Sequence, residues 1–96
     1  MKQSYYVYML ASGKNGTLYL GVTNDLSRRV DEHKQGVISG FSKKYEINRL
    51  VWYQETDKVE GAITVEKRMK QWKMSWKVEL IEKNNPKWCD LCDELV

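Results

Sequence analysis

The chain predicts an α+β fold. Two β-rich runs enclose a turn near the N-terminus, a third lies mid-chain, and two stretches repeat their apolar residues at helical spacing. Residues 4–10 (SYYVYML) are β-rich and apolar, residues 11–16 (ASGKNG) are turn chemistry, and residues 17–22 (TLYLGV) are β-rich again. Such runs around Gly and Asn read as an antiparallel hairpin. A helix is expected over residues 25–35, with Asn24 placed to cap it, Asp25 at the positive end of its dipole and Gly36 to end it. Leu26, Val30 and His33 then fall on one face, with Arg29 on its flank one turn before His33. Residues 36–48 are irregular and cationic, and residues 49–55 (RLVWYQE) predict a third strand. Residues 59–77 predict one long amphipathic helix, because Ala62, Val65, Met69, Trp72 and Trp76 recur at steps of three and four. Its other faces carry Lys67, Arg68, Lys70, Lys73 and Lys77. A tryptophan stripe at this spacing reads as core, with contact to nucleic acid as the competing use of Trp interleaved with bases. Trp88, after Pro86, is expected to tuck the tail back onto the body.

Ninety-six residues with 42% hydrophobic and 30% charged side chains allow one small globular domain and exclude a two-domain enzyme. The expected division is a single domain over residues 1–88 and a short acidic tail over residues 89–96. No apolar run approaches the ~18–20 residues that cross a bilayer, and the start (MKQSYYVYMLASGKNG) lacks a signal-type apolar core, so a soluble cytoplasmic protein is expected. All sixteen bases and ten of the thirteen acids lie in the first eighty-eight residues, leaving that body at +6 and the tail at −3. A basic body favours an anionic partner, with a solvated lysine surface as the alternative. Cys89 and Cys92 form one C-x-x-C at the chain's end, where a redox pair, half a zinc site and silent thiols compete. Silent thiols are expected, since four zinc ligands are lacking and the pair does not open a helix after a strand.

There is no Ser-His-Asp arrangement with a nucleophile elbow and no glycine-rich phosphate loop, so those enzyme classes drop out. What remains is a hairpin bearing Tyr6, Tyr8 and Tyr19, a helix bearing Arg29 and His33, and a helix bearing Glu66. Tyr6 and Tyr8 share a strand face, and Tyr19 on the partner strand can converge with Tyr8. Glu66 adjoins Val65 and lies one turn from Ala62 and Met69, at the rim of the apolar stripe. It can pair with Lys70 at i,i+4, worth ~0.3–0.5 kcal/mol, or serve as a single carboxylate ligand to Mg²⁺, which keeps several waters and takes substrate phosphate oxygens. Arginine fits phosphate, and a tyrosine accepts a proton when a cation lowers its pKa. Together these are the parts of a metal-assisted phosphodiester hydrolase.

With those residues in view, the sequence resembles the GIY-YIG nuclease superfamily, in particular its short single-domain endonuclease type (UPF0213-like). Tyr6-Val7-Tyr8 stands where the family has G-I-Y, and Tyr19-Leu20-Gly21 where it has Y-I-G. The family's arginine falls ten residues beyond the second tyrosine, which selects Arg29 over Arg28. His33 matches a histidine one turn later, Glu66 in Ala62-x-x-x-Glu66-x-x-x-Lys70 matches the metal-binding glutamate, and Asn85-Pro86-x-Trp88-x-Asp90-Leu91 looks like the end of the short members. Asn85 is the candidate for the family's late asparagine, with Asn84 adjacent. Tyr6 replaces the first glycine and leaves Tyr8 intact.

The resemblance implies a central three-stranded antiparallel sheet flanked by helices and hydrolysis of DNA phosphodiesters with Mg²⁺ (or Mn²⁺). It implies Tyr8, with Tyr19 or His33, deprotonating or orienting the water, Arg29 on the scissile phosphate and Glu66 on the metal. A role in DNA repair or processing follows from the family, on DNA recognised by structure rather than sequence. Lys43, Lys44, Lys70, Lys73 and Asn85 are the expected nucleic-acid contacts. The rival is a nucleic-acid-binding module of the same fold that no longer cuts, held by salt-sensitive lysine–phosphate contacts. A protein-binding domain has only the Trp-rich helix and acidic tail in its favour.

Overall fold

In the computed structural model, which describes residues 3–36 and 46–95, three strands form one antiparallel sheet in the order β2-β1-β3. They are β1 (Tyr5–Ala11), β2 (Leu18–Thr23) and β3 (Arg49–Thr56). Helix α1 (Leu26–Lys34) follows the hairpin, α2 (Val59–Lys70) and α3 (Met74–Asn84) follow β3, and a 3₁₀ helix (Leu91–Leu95) ends the described chain. The expected α+β architecture, a three-stranded antiparallel sheet flanked by helices, is thus the one observed.

β1 is central and buried from Val7 to Ala11 because both faces of the sheet are covered, which is why its sequence is a continuous apolar run. Side-chain alternation splits it. Val7, Met9 and Ala11 point to a core completed by Val51, Ala62, Met69, Ile81 and Trp88, under α2 and α3. Tyr8 and Leu10 point the other way, to Leu26, Val30, Ile47 and Leu50, with Leu91, Cys92 and Leu95 of the tail packed beside them. Tyr8 lies opposite Gly21 on β2 and Tyr53 on β3, and the β1–β3 register shifts between Met9 and Leu10.

Three local expectations are corrected. The cap of α1 is Asp25, whose carboxylate accepts the Arg28 N–H at 3.2 Å, so the helix starts at Leu26 and Asn24 stays outside it. Gly36, at φ 71°, follows the helix as expected, in the left-handed region that glycine enters freely. The long helix is two helices. Gln71 and Trp72 donate to the carbonyls three residues back, Lys73 turns extended (φ −61°, ψ 149°), and α3 starts anew at Met74. Neither Gly nor Pro marks that break, and the apolar spacing runs across it, so periodicity could not reveal it. The third concerns the tryptophan stripe: Ala62 and Met69 are buried, but Trp76 is 50% exposed and not core.

Trp88 is fully buried, donates its indole N–H to Glu82 Oε2 at 2.7 Å, and brings the tail onto the body. Burial raises the Asp90 carboxyl, but hydrogen bonds from Lys34, the Cys92 N–H and the Leu50 N–H outweigh it and hold Asp90 below the ordinary value. No helix among the described residues is long and apolar enough to cross a membrane.

Candidate active site

The site grows from the β1–β2 pairing and from α1, which packs against the same face. Tyr8 leans over the backbone of β2 where Gly21 lies opposite it. A Cβ on Gly21 would stand 2.6 Å from the Tyr8 hydroxyl and 2.7 Å from its Cζ, so only glycine leaves room for the ring. Tyr19, two residues earlier on β2, shares this face, and its ring centroid lies 6.3 Å from that of Tyr8. His33, two turns along α1 from Leu26, closes the group: its ring is 5.0 Å from Tyr19 and 6.1 Å from Tyr8. The Tyr8 hydroxyl is 3.4 Å from His33 Nε2. Tyr8 and His33 are 1% and 6% exposed, while Tyr19 is half-buried.

This burial sets the protonation states. It pushes the Tyr8 phenol well above its ordinary value of 10.0, helped by Tyr19 and opposed by Arg29. It lowers His33 below 6.5, helped by the Arg29 charge and opposed by Glu32. At neutral pH the site therefore holds a protonated phenol beside a neutral imidazole that can accept a proton.

Arg29, half-exposed on α1, pairs with Glu32 at 3.6 Å and borders a cavity of about 100 Å³ lined also by Thr23, Asn24, Asp25, Arg28 and Glu32. Glu32 was missed from sequence. It also accepts Arg28 Nε at 3.3 Å, and its spacing at i+3 from Arg29 and i+4 from Arg28 was the available signal. Tyr6 stands further out, its ring edge-on to Tyr53 and its hydroxyl donating to Glu55.

Glu66 belongs to a different element from the ring cluster. It sits on α2, which packs on the opposite face of the sheet, with its side chain 17% exposed and 3.2 Å from Lys70 Nζ. Among the described residues no group of three or more His, Cys, Asp or Glu could hold a metal, so no all-protein cage is present. Glu66 fits a lesser demand, one carboxylate whose exposed lysine partner can swing away, with substrate oxygens and water completing the shell.

Of the expected nucleic-acid contacts, Lys43 and Lys44 lie outside the described residues. Lys70 and Lys73 are exposed. Asn85 is corrected: it is buried, its amide donates to the carbonyls of Val51 and Cys89, and its carbonyl accepts the Cys89 N–H. Those bonds use both amide hydrogens and hold the turn after α3. Cys89 and Cys92 are free thiols.

The β1–β2 hairpin thus brings two tyrosines together against a helix carrying Arg29 and His33. The GIY-YIG catalytic domain matches residues 4–79, and the chain belongs to that family. It is similar to a UPF0213 protein of Pediococcus pentosaceus, 31% identical over 83% of both chains. It is also similar to a UPF0213 protein of Vibrio parahaemolyticus, 33% identical over 85% of this chain and 76% of that one. The solution structure of a UPF0213 protein from Bacillus halodurans matches with a TM-score of 0.53 and 28% identity, over 85% of this chain and 86% of that one.

Proposed function

We propose that the protein is a metal-dependent endonuclease that hydrolyses DNA phosphodiester bonds in DNA repair or processing, recognising DNA by its structure. The observation that carries this reading is the packing of Tyr8, Tyr19 and His33 against one another, with Arg29 close enough to bias both titrating groups. A raised Tyr8 phenol is no standing base. Beside a neutral His33 it can pass a proton on: its oxygen accepts the proton of the attacking water while its own proton moves to His33 Nε2, 3.4 Å away. Tyr19, the most open of the three rings, orients the water, and Arg29 binds the scissile phosphate and stabilises the charge that grows on it. Glu66 would hold Mg²⁺ or Mn²⁺, which when bound supplies Lewis-acid stabilisation of the phosphoryl charge and the leaving oxygen.

The test is cleavage of a labelled panel of plasmid, single-strand, flap and nicked DNA with Mg²⁺, Mn²⁺ or EDTA, comparing wild type with Glu66→Ala and Arg29→Ala. Cutting that needs the metal and both residues is expected. Cutting by both variants at the wild-type rate would sink the mechanism.

A second reading, a nucleic-acid-binding module that does not cut, is favoured by the pairing of Glu66 with Lys70, which occupies the carboxylate a metal would need. DNA binding that falls steeply with salt, with no cleavage on any substrate, would favour it.

A further inference from the structure

We infer that the α2–α3 corner is a second nucleic-acid site, a groove in which Trp76 stacks on an unpaired base of single-stranded DNA. The site lies on helices that cover the sheet face opposite the tyrosine cluster. It rests on the reading of the protein as one that acts on DNA.

The break at residues 71–73 creates it. Were the helix continuous, Trp76 would follow Trp72 along one packed stripe; instead α3 restarts at Met74 and leaves Trp76 50% exposed, the most exposed large hydrophobic among the described residues. Its ring stands edge-on to Trp72 with centroids 6.3 Å apart, so the half-buried Trp72 fixes its pose. The two tryptophans, with Glu79, Leu80 and Lys83, line a groove of about 310 Å³.

Charge selects the occupant. From Lys67 to Lys77 the chain carries five cations and no acid, with both tryptophans interleaved. Lys73 Nζ lies 5.8 Å from the Trp76 ring centroid, and α3 begins with no side-chain cap and no acid in its first turn, which suits a neighbouring phosphate. An apolar peptide would leave Lys73 beside Trp76 unanswered, whereas a single strand offers a π-face and a phosphate together. Glu79 on the groove wall repels phosphate and accepts an exocyclic amino group, so the base enters and the phosphates stay outside among the lysines. A duplex keeps its bases stacked and cannot fill the groove.

The experiment uses the full chain in EDTA, so that binding is read without cleavage. A single-stranded cytosine dodecamer carrying one 5-iododeoxycytidine is titrated for affinity and photo-crosslinked, and the adduct is mapped by mass spectrometry. A crosslink at Trp76, and a loss of affinity of about fivefold to a hundredfold in Trp76→Ala that Trp76→Phe largely restores, are expected. A duplex of the same length should not distinguish wild type from Trp76→Ala. Unchanged single-strand affinity in Trp76→Ala, or adducts only elsewhere, would overturn the site even if the protein cuts DNA. A Trp76 adduct in a protein that cuts nothing would sustain the site and leave the nuclease reading to fail alone. Urea midpoints of both variants show that the fold is kept.

Discussion

Replacing Gly21 with alanine tests the site's architecture without presuming its chemistry. The added methyl would meet Tyr8 at 2.6 Å from the hydroxyl, 2.7 Å from Cζ and 3.0 Å from Cε1, about 1 Å inside ordinary carbon contacts near 3.5–4.0 Å. Tyr8 cannot retreat cheaply, being 1% exposed and packed with Leu10, Leu26 and Val30. Overpacking of a tight core costs about 1–3 kcal/mol, which for a domain of this size lowers Tm by about 5–20 °C. Urea and thermal unfolding followed by tryptophan fluorescence measure it. The displaced ring should also leave His33 Nε2, now 3.4 Å from its hydroxyl, and alter the histidine's titration. Adding Tyr8→Phe removes the 2.6 Å contact but leaves Cζ at 2.7 Å, so rescue should be partial. Wild-type stability and an unchanged His33 titration in Gly21→Ala would refute the claim that this glycine makes room for the ring.

Three further predictions follow from burial and hydrogen bonding. His33, with its pKa lowered by burial, should titrate below 6.5 in an NMR pH series. Its contribution to stability is then complete above 6.5 and lost as pH falls through the folded value, where a rate that depends on neutral His33 should fall too; titration above 6.5 would contradict this. Asn85→Ala should cost about 1–3 kcal/mol by stranding the Val51 and Cys89 groups, and should leave DNA affinity unchanged by filter binding; a large affinity loss in a well-folded variant would return Asn85 to the binding surface. Asp90, held below 3.8, contributes stability that is present above that value and lost as pH falls through the folded one, so Asp90→Asn should be less stable at neutral pH and show a flatter acid limb in urea titrations. Equal stability of wild type and Asp90→Asn at neutral pH would show that the tail does not depend on that carboxylate.

Period-two and period-3.6 patterning made the three strands and α1 legible, because each buries one predictable set of side chains. The faces of Tyr8 and His33 were readable for the same reason, and the ring cluster followed from hairpin pairing. The α2–α3 break was not readable: Lys73 turns extended with no Gly or Pro to mark it, and Trp76 keeps the helical spacing although it faces solvent. Asn85 and Glu66 were ambiguous for a different reason. A polar residue's spacing does not say whether its partners are internal, and both found theirs inside the chain, Asn85 in the turn after α3 and Glu66 in Lys70. Asp25 took the cap from Asn24 because either side chain can accept the first helical N–H groups, and one residue of register decides which.

The two faces of the sheet explain how so small a chain can keep titrating groups out of water. β1 is covered on both sides, so Tyr8 is desolvated by the same packing that buries Leu10 and Val30, and the energetic burden of an unionised phenol is small. A histidine in that layer costs little for the same reason, since it is neutral at pH 7 and lies within reach of a hydroxyl. Charged groups are instead kept at the margins. Arg29 and Glu32 neutralise each other at the edge of α1, and Glu66 and Lys70 do so on α2. On the proposed function, an incoming phosphate would need only to displace the partly exposed Arg29–Glu32 pair, worth ~0–1 kcal/mol, without disturbing the buried rings. Substitutions at the edge should change function with little loss of stability, whereas those at Tyr8, Gly21 or His33 should change both together.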